Sequence, residues 1–149
     1  MIMSIASHHV VITAENQHHV IITAEDHQRL LQLLQREIKE ITGCASHLYD
    51  LLKELHRASV VDPADVPRDV VTMDSVIELT DLDSNESEVF TLVYPDAENA
   101  KENMLSVFAP IGTAILGYHV GDSVSWPVPI GVRRMKIESI LYQPEHYQK

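Results

Sequence analysis

The chain has 149 residues, 45% of them apolar and 22% charged, with a net charge of −11 and one cysteine. This length suits one domain with a sizeable core, and the negative charge excludes unaided binding to DNA or RNA, which depends on Lys and Arg neutralising phosphates. The single Cys44 excludes an intramolecular disulfide, no stretch reaches the ~20 apolar residues of a membrane span, and the start lacks the basic region of a secretory signal, so a cytoplasmic protein in a reducing compartment is expected.

The first elements come from a near-duplication. His8–Glu15, HHVVITAE, returns as His18–Glu25, HHVIITAE. The second copy leads into a helix: Val20 to Thr23 is a β-branched strand, Thr23 is a helix cap, and Asp26 completes a capping-box pattern. Leu30, Leu34, Ile38 and Ile41 then recur at helical spacing, so a helix is predicted from Ala24 to Ile41, stopped by Gly43. Ser46 is the expected cap of a second helix with the stripe Leu48, Leu51, Leu52 and Leu55. Two striped helices joined by so short a connection should pack as an antiparallel hairpin. The first copy meets only the second, so residues 1–19 read as an N-terminal extension and 20–59 as strand plus hairpin. Its β-prone Val10–Thr13 could add to a sheet edge in the same chain or another copy, which leaves oligomerisation through the N-terminal segment open.

Residues 60–69, with two prolines and three aspartates, read as a linker. Residues 70–149 read as a sheet domain. Val70–Thr80 and Val89–Tyr94 are predicted strands, the second ended by Pro95, and Met104–Val107 is a brief third. Ala109–Gly117, APIGTAILG, suits a short helix with Pro110 at its first position and Gly117 beyond its end. Val124, Trp126 and Val128 alternate in a further strand, and a turn at Pro129–Gly131 leads to a last one around Arg134–Ser139. The fold class is therefore α+β: a short helical hairpin of coiled-coil type, then an antiparallel sheet carrying one short helix.

Chemistry-bearing motifs are sparse. Adjacent histidines on a strand point to opposite faces, so His8-His9 and His18-His19 each offer at most one ligand per side and read as solvated. Cys44, with His47 three residues on, lacks the surroundings of an activated thiol and reads as a small turn residue. APIGTAILG has neither the spacing nor the lysine of a P-loop. The residues indicate no catalytic site, no metal and no cofactor.

One stretch is distinctive. Ala109–Asp122, APIGTAILGYHVGD, resembles the signature of the Gre transcript-cleavage factors through Pro110, Gly112, Ala114, Leu116, Gly117, Gly121 and Asp122. DVVTMDS (69–75), TLVYP (91–95), LSVFAP (105–110), GDSVSW (121–126) and YQPE (142–145) together resemble the Gre-like Rnk family. The resemblance implies an FKBP-like C-terminal domain and a non-enzymatic transcription regulator, with RNA polymerase as partner and no direct specific nucleic acid. Gre factors pass a long coiled coil through the polymerase secondary channel, and acidic residues at its tip help hold the catalytic magnesium. The tip here, Glu40, Ile41, Thr42, Gly43 and Cys44, carries one glutamate, poor equipment for a hard cation that prefers several oxygens. Docking without cleavage, in competition with other channel factors, is what remains. The resemblance places the contact at Phe108, Ala109, Pro110 and Ile111, with Phe108 readable as contact or core. The rival readings are an FKBP-like prolyl isomerase, disfavoured by 5% aromatic content, and a structural homo-oligomeric module.

Overall fold

The computed structural model describes residues 11–12, 19–41 and 45–147. His8, His9, His18, Thr42, Gly43 and Cys44 lie outside the described residues. In chain order come strands β1 (Val11–Ile12) and β2 (Ile21–Thr23), helices α1 (Ala24–Glu40) and α2 (Ser46–His56), and strand β3 (Ser59–Val61). Then follow β4 (Val76–Asp81), β5 (Ser87–Val93), β6 (Met104–Ser106), α3 (Pro110–Ile115), β7 (Ser123–Val128), β8 (Gly131–Tyr142) and α4 (Pro144–Tyr147). The class is α+β, as expected.

α1 begins where the pattern placed it. Thr23 caps it, its hydroxyl accepting from the Asp26 amide at 3.3 Å. The Asp26 carboxylate, however, is used elsewhere: it accepts from the Tyr94 hydroxyl at 2.5 Å. The helices run antiparallel, since His27 near the start of α1 donates through Nε2 to the Leu55 carbonyl, near the end of α2, at 2.8 Å. α2 departs from expectation in its cap: Ala45, not Ser46, precedes it and supplies no side-chain hydrogen bond. Ala45 is buried and packs in the core cluster, so apolar packing and not a side-chain cap marks this helix start.

The six strands of the main sheet lie in the order β1-β7-β8-β4-β5-β6. All pairs are antiparallel except β5 with β6. The sheet is thus mixed, which corrects the antiparallel expectation. The connection from β5 to β6 passes through two short 3-10 turns, Pro95–Ala97 and Ala100–Glu102, and returns the chain in the same direction. The β4–β8 register is irregular at Val76/Ile77 and Glu78/Leu79, and such bulges bend a strand. Val11 and Ile12 pair with Ser125 and Val124 on the β7 edge of the same chain.

Residues 60–69 are not a bare spacer. Val60 and Val61 belong to β3, which pairs in parallel with β2 through Ile22↔Val60 and Thr23↔Val61, and Val66 is buried. A lack of periodicity hides single anchoring side chains of this kind. The strand expected from Val70 starts six residues later, at Val76. Before it, Asp74 takes φ +68°, and Thr72 and Ser75 bond hydroxyl to hydroxyl at 2.9 Å, a turn that still bonds to Leu92 of β5 through the Asp74 amide and the Ser75 carbonyl. α4 and the residue before it pack against this region: Gln143 Nε2 donates to the Pro67 and Val70 carbonyls at 2.8 and 2.7 Å, and Thr72 donates to Glu145 of α4 at 2.8 Å.

The core is continuous. Leu30 and Leu34 of α1, Leu48, Leu51 and Leu55 of α2, Val20 and Ile22, Ala114 to Leu116, and Ile77, Leu79, Leu92, Val124, Trp126, Met135 and Ile137 of the sheet form one buried cluster. The hairpin is packed onto the body through these residues.

Candidate partner-binding site

The loop before α3 is tightly built. The Ser106 hydroxyl accepts from the Phe108 amide at 3.0 Å, and the Ser106 carbonyl accepts from the Ala109 amide at 3.0 Å. Pro110 opens α3, where its missing N–H costs nothing, and the Thr113 hydroxyl returns to the Pro110 carbonyl at 2.9 Å. Gly112 allows the close approach: a Cβ there would lie 2.1 Å from the Ser106 carbonyl oxygen.

The hairpin braces this loop. His47, in the first turn of α2, donates through Nε2 to the Phe108 carbonyl at 3.0 Å. Phe108 is half-buried against the core cluster and also lines a surface slot with Glu37, Pro95, Glu98, Ser106 and Ala109. Its ring therefore serves the core on one side and faces an opening on the other. Ala109 and Ile111 are half-buried, and Pro110 is exposed. Of the hairpin tip, Glu40 is exposed and Ile41 is half-buried against the cluster.

A second contact fixes α1. Besides the Tyr94–Asp26 hydrogen bond, the Arg29 guanidinium lies 3.7 Å from the centre of the Tyr94 ring, a cation–π geometry. Burial, with the Asp26 carboxylate adding to it, pushes the Asp74 carboxyl above its ordinary value, and Arg29 partly offsets this.

Between α2 and α3 lies a cleft of about 230 Å³, lined among others by Val20, His47, Asp50, Glu54, Arg57, Thr113 and Tyr118. Burial raises the Glu54 carboxyl above its ordinary value, and Arg57, 3.6 Å away, holds it back in part. Its Oε1 is buried without a hydrogen-bond partner. Burial likewise raises the Tyr118 phenol. Among the described residues no group of three or more His, Cys, Asp or Glu could hold a metal ion, and no helix is long and apolar enough to cross a membrane. His19 is exposed, and its Nδ1 donates to the Arg57 carbonyl at 3.1 Å.

In the sequence His47 stands out only as a neighbour of Cys44; its partner is 61 positions away. Glu37 and Glu98 carry no local signal either, since α1 meets the 94–98 segment only in the fold; Tyr94 is visible within TLVYP, but its contacts with Asp26 and Arg29 are not. The glycines of APIGTAILG were the visible clue: Gly117, at φ +80°, leaves room for Val20, whose Cα would lie 2.9 Å from an added Cβ.

The fold and the loop ahead of α3 define a protein of Gre type. The family profile "Transcription elongation factor, GreA/GreB, C-term" matches residues 66–142. The structure "Prokaryotic transcription elongation factor GreA/GreB from Nitrosomonas europaea" aligns with a TM-score of 0.71 at 37% identity, over 83% of this chain and 99% of that one. The transcription elongation factor GreA of Thermodesulfovibrio yellowstonii is 30% identical over 96 residues, 64% of this chain and 61% of that protein. The N-terminal part narrows the class. The profile "Rnk N-terminus" matches residues 19–61, and the "Regulator of nucleoside diphosphate kinase" of Escherichia coli (strain K12) is 44% identical over 93 residues, 62% of this chain and 68% of that protein. The chain belongs to the Rnk family, whose C-terminal part is related to GreA and GreB.

Proposed function

We propose that this protein is a transcription regulator that binds RNA polymerase near the secondary channel through Phe108–Ile111, competes there with other channel factors, and does not stimulate transcript cleavage. The observation that carries this reading is the placement of the hairpin. α1 has 17 residues, about 26 Å at 1.5 Å per residue, and it lies in one core with the body. His47, at the start of α2, bonds to the docking loop. Such a hairpin braces a contact; it does not extend a lever. The body is FKBP-like on the resemblance alone, and fold does not confer isomerase activity. Trp126, which could line a proline pocket, is turned into the core.

Co-purification with core RNA polymerase tests the docking. The full chain should be retained, and Phe108→Ala with Pro110→Gly should weaken retention. Added to a backtracked elongation complex, the protein should leave cleavage at the polymerase's own rate and suppress the stimulation given by a Gre factor. Failure to bind, together with failure to compete, would remove the reading.

A further inference from the structure

The slot beside the docking loop has a volume of about 270 Å³ and is lined by Glu37, Pro95, Glu98, Ser106, Phe108 and Ala109. Its apolar surface comes from Pro95, Phe108 and Ala109. Glu37 arrives from α1 and Glu98 from the loop after β5, so the slot exists only because the hairpin is packed on the body. Both glutamates are exposed. No Lys or Arg lines the slot, and among the described residues neither carboxylate is in an ion pair.

We propose that this slot receives an arginine or lysine side chain of the protein partner, its alkyl stem on Phe108 and Pro95 and its charged head between Glu37 and Glu98. Long basic side chains suit such a surface because the stem is apolar and the head is not. An aromatic face attracts the same cation, and carboxylates bind it by charge-assisted hydrogen bonds. An anion would meet two like charges, and a purely apolar group would strip water from two carboxylates with nothing in return. The net charge of −11 adds long-range attraction toward a basic surface. Phe108 belongs both to the slot and to the docking loop, so this inference rests on the polymerase reading and names the chemistry of one contact within it.

The experiment measures binding of the full-length protein to core RNA polymerase at low and at high salt. The double variant Glu37→Gln/Glu98→Gln is compared with Glu86→Gln/Glu88→Gln, an exposed pair of carboxylates around the start of β5 that changes net charge equally. All four are surface positions, and thermal unfolding confirms that each variant folds. The slot variant should bind about two- to twentyfold more weakly than wild type, each exposed charge contact being worth roughly 1.4- to fivefold, with a smaller salt dependence. Glu37→Lys/Glu98→Lys should weaken binding further by juxtaposing like charges. If wild type binds and the slot variant matches the control pair, the inference is overturned while the polymerase reading stands. If wild type does not bind, the polymerase reading falls and takes the slot with it.

Discussion

A methyl group on Gly112 would sit 2.1 Å from the Ser106 carbonyl oxygen and 2.9 Å from the Val107 Cα, both backbone atoms that cannot step aside. Gly121 differs: its φ is +97°, but nothing lies within 4 Å of an added Cβ. Gly112→Ala should therefore cost at least ~2 kcal/mol through overpacking, and Gly121→Ala about 1 kcal/mol through backbone strain alone. Urea unfolding measures both; equal losses would contradict the packing argument. Glu54 gives a pH prediction. Its folded carboxyl is raised from the ordinary value of 4.5 by burial. A raised folded value means that the group's contribution is fully present below pH 4.5 and is lost as pH rises through the raised value. Glu54→Gln should thus raise the melting temperature at neutral pH, and the gain should vanish below about 4.5, the ordinary value. A gain that persists in acid would point away from this carboxyl.

The elements differ in how much of them the chain betrays. α1 was legible because Leu30 and Leu34 share a face and Thr23 caps it, and β7 because Val124 and Trp126 alternate with polar neighbours. β3 and α4 were not: Val60 and Val61 make a strand only because β2 lies alongside, and Gln143 and Glu145 work on carbonyl and hydroxyl groups some 70 positions earlier. YQPE was visible as a family mark, and its role proves to be holding the chain end to the 66–72 segment. The loop before α3 is legible as a motif, but its brace and its acidic slot are not, because residues 37, 47, 98 and 108 converge only on folding. The seating of α1 is a further property of this kind. Tyr94→Phe deletes the donor to the Asp26 carboxylate while keeping the ring under Arg29. It should cost about 1.5 kcal/mol, the lower end for hydrogen bonds to charged groups. If the contact is incidental, denaturant midpoints will coincide with wild type.

At the scale of the molecule, the decisive property is that hairpin and body share one core. A hairpin standing apart would melt on its own, and its helices would disappear before the sheet. Here Leu30, Leu34, Leu48, Leu51 and Leu55 are packed into the same cluster as Ile77, Leu79 and Ile137, so neither part keeps its apolar face covered once the other leaves. Cooperative unfolding follows from that shared burial. The chain carries its own reporter: Trp126, the only tryptophan, is 8% exposed on β7, within the body. Its fluorescence follows the sheet, while circular dichroism at the helical band is dominated by α1 and α2, the longest helices among the described residues. The two urea curves should superimpose. Leu34→Ala, a change confined to α1, should cost about 3 kcal/mol and move the tryptophan midpoint as far as the helical one. If the helical signal shifts alone, the hairpin is an independent arm and does not brace the loop before α3.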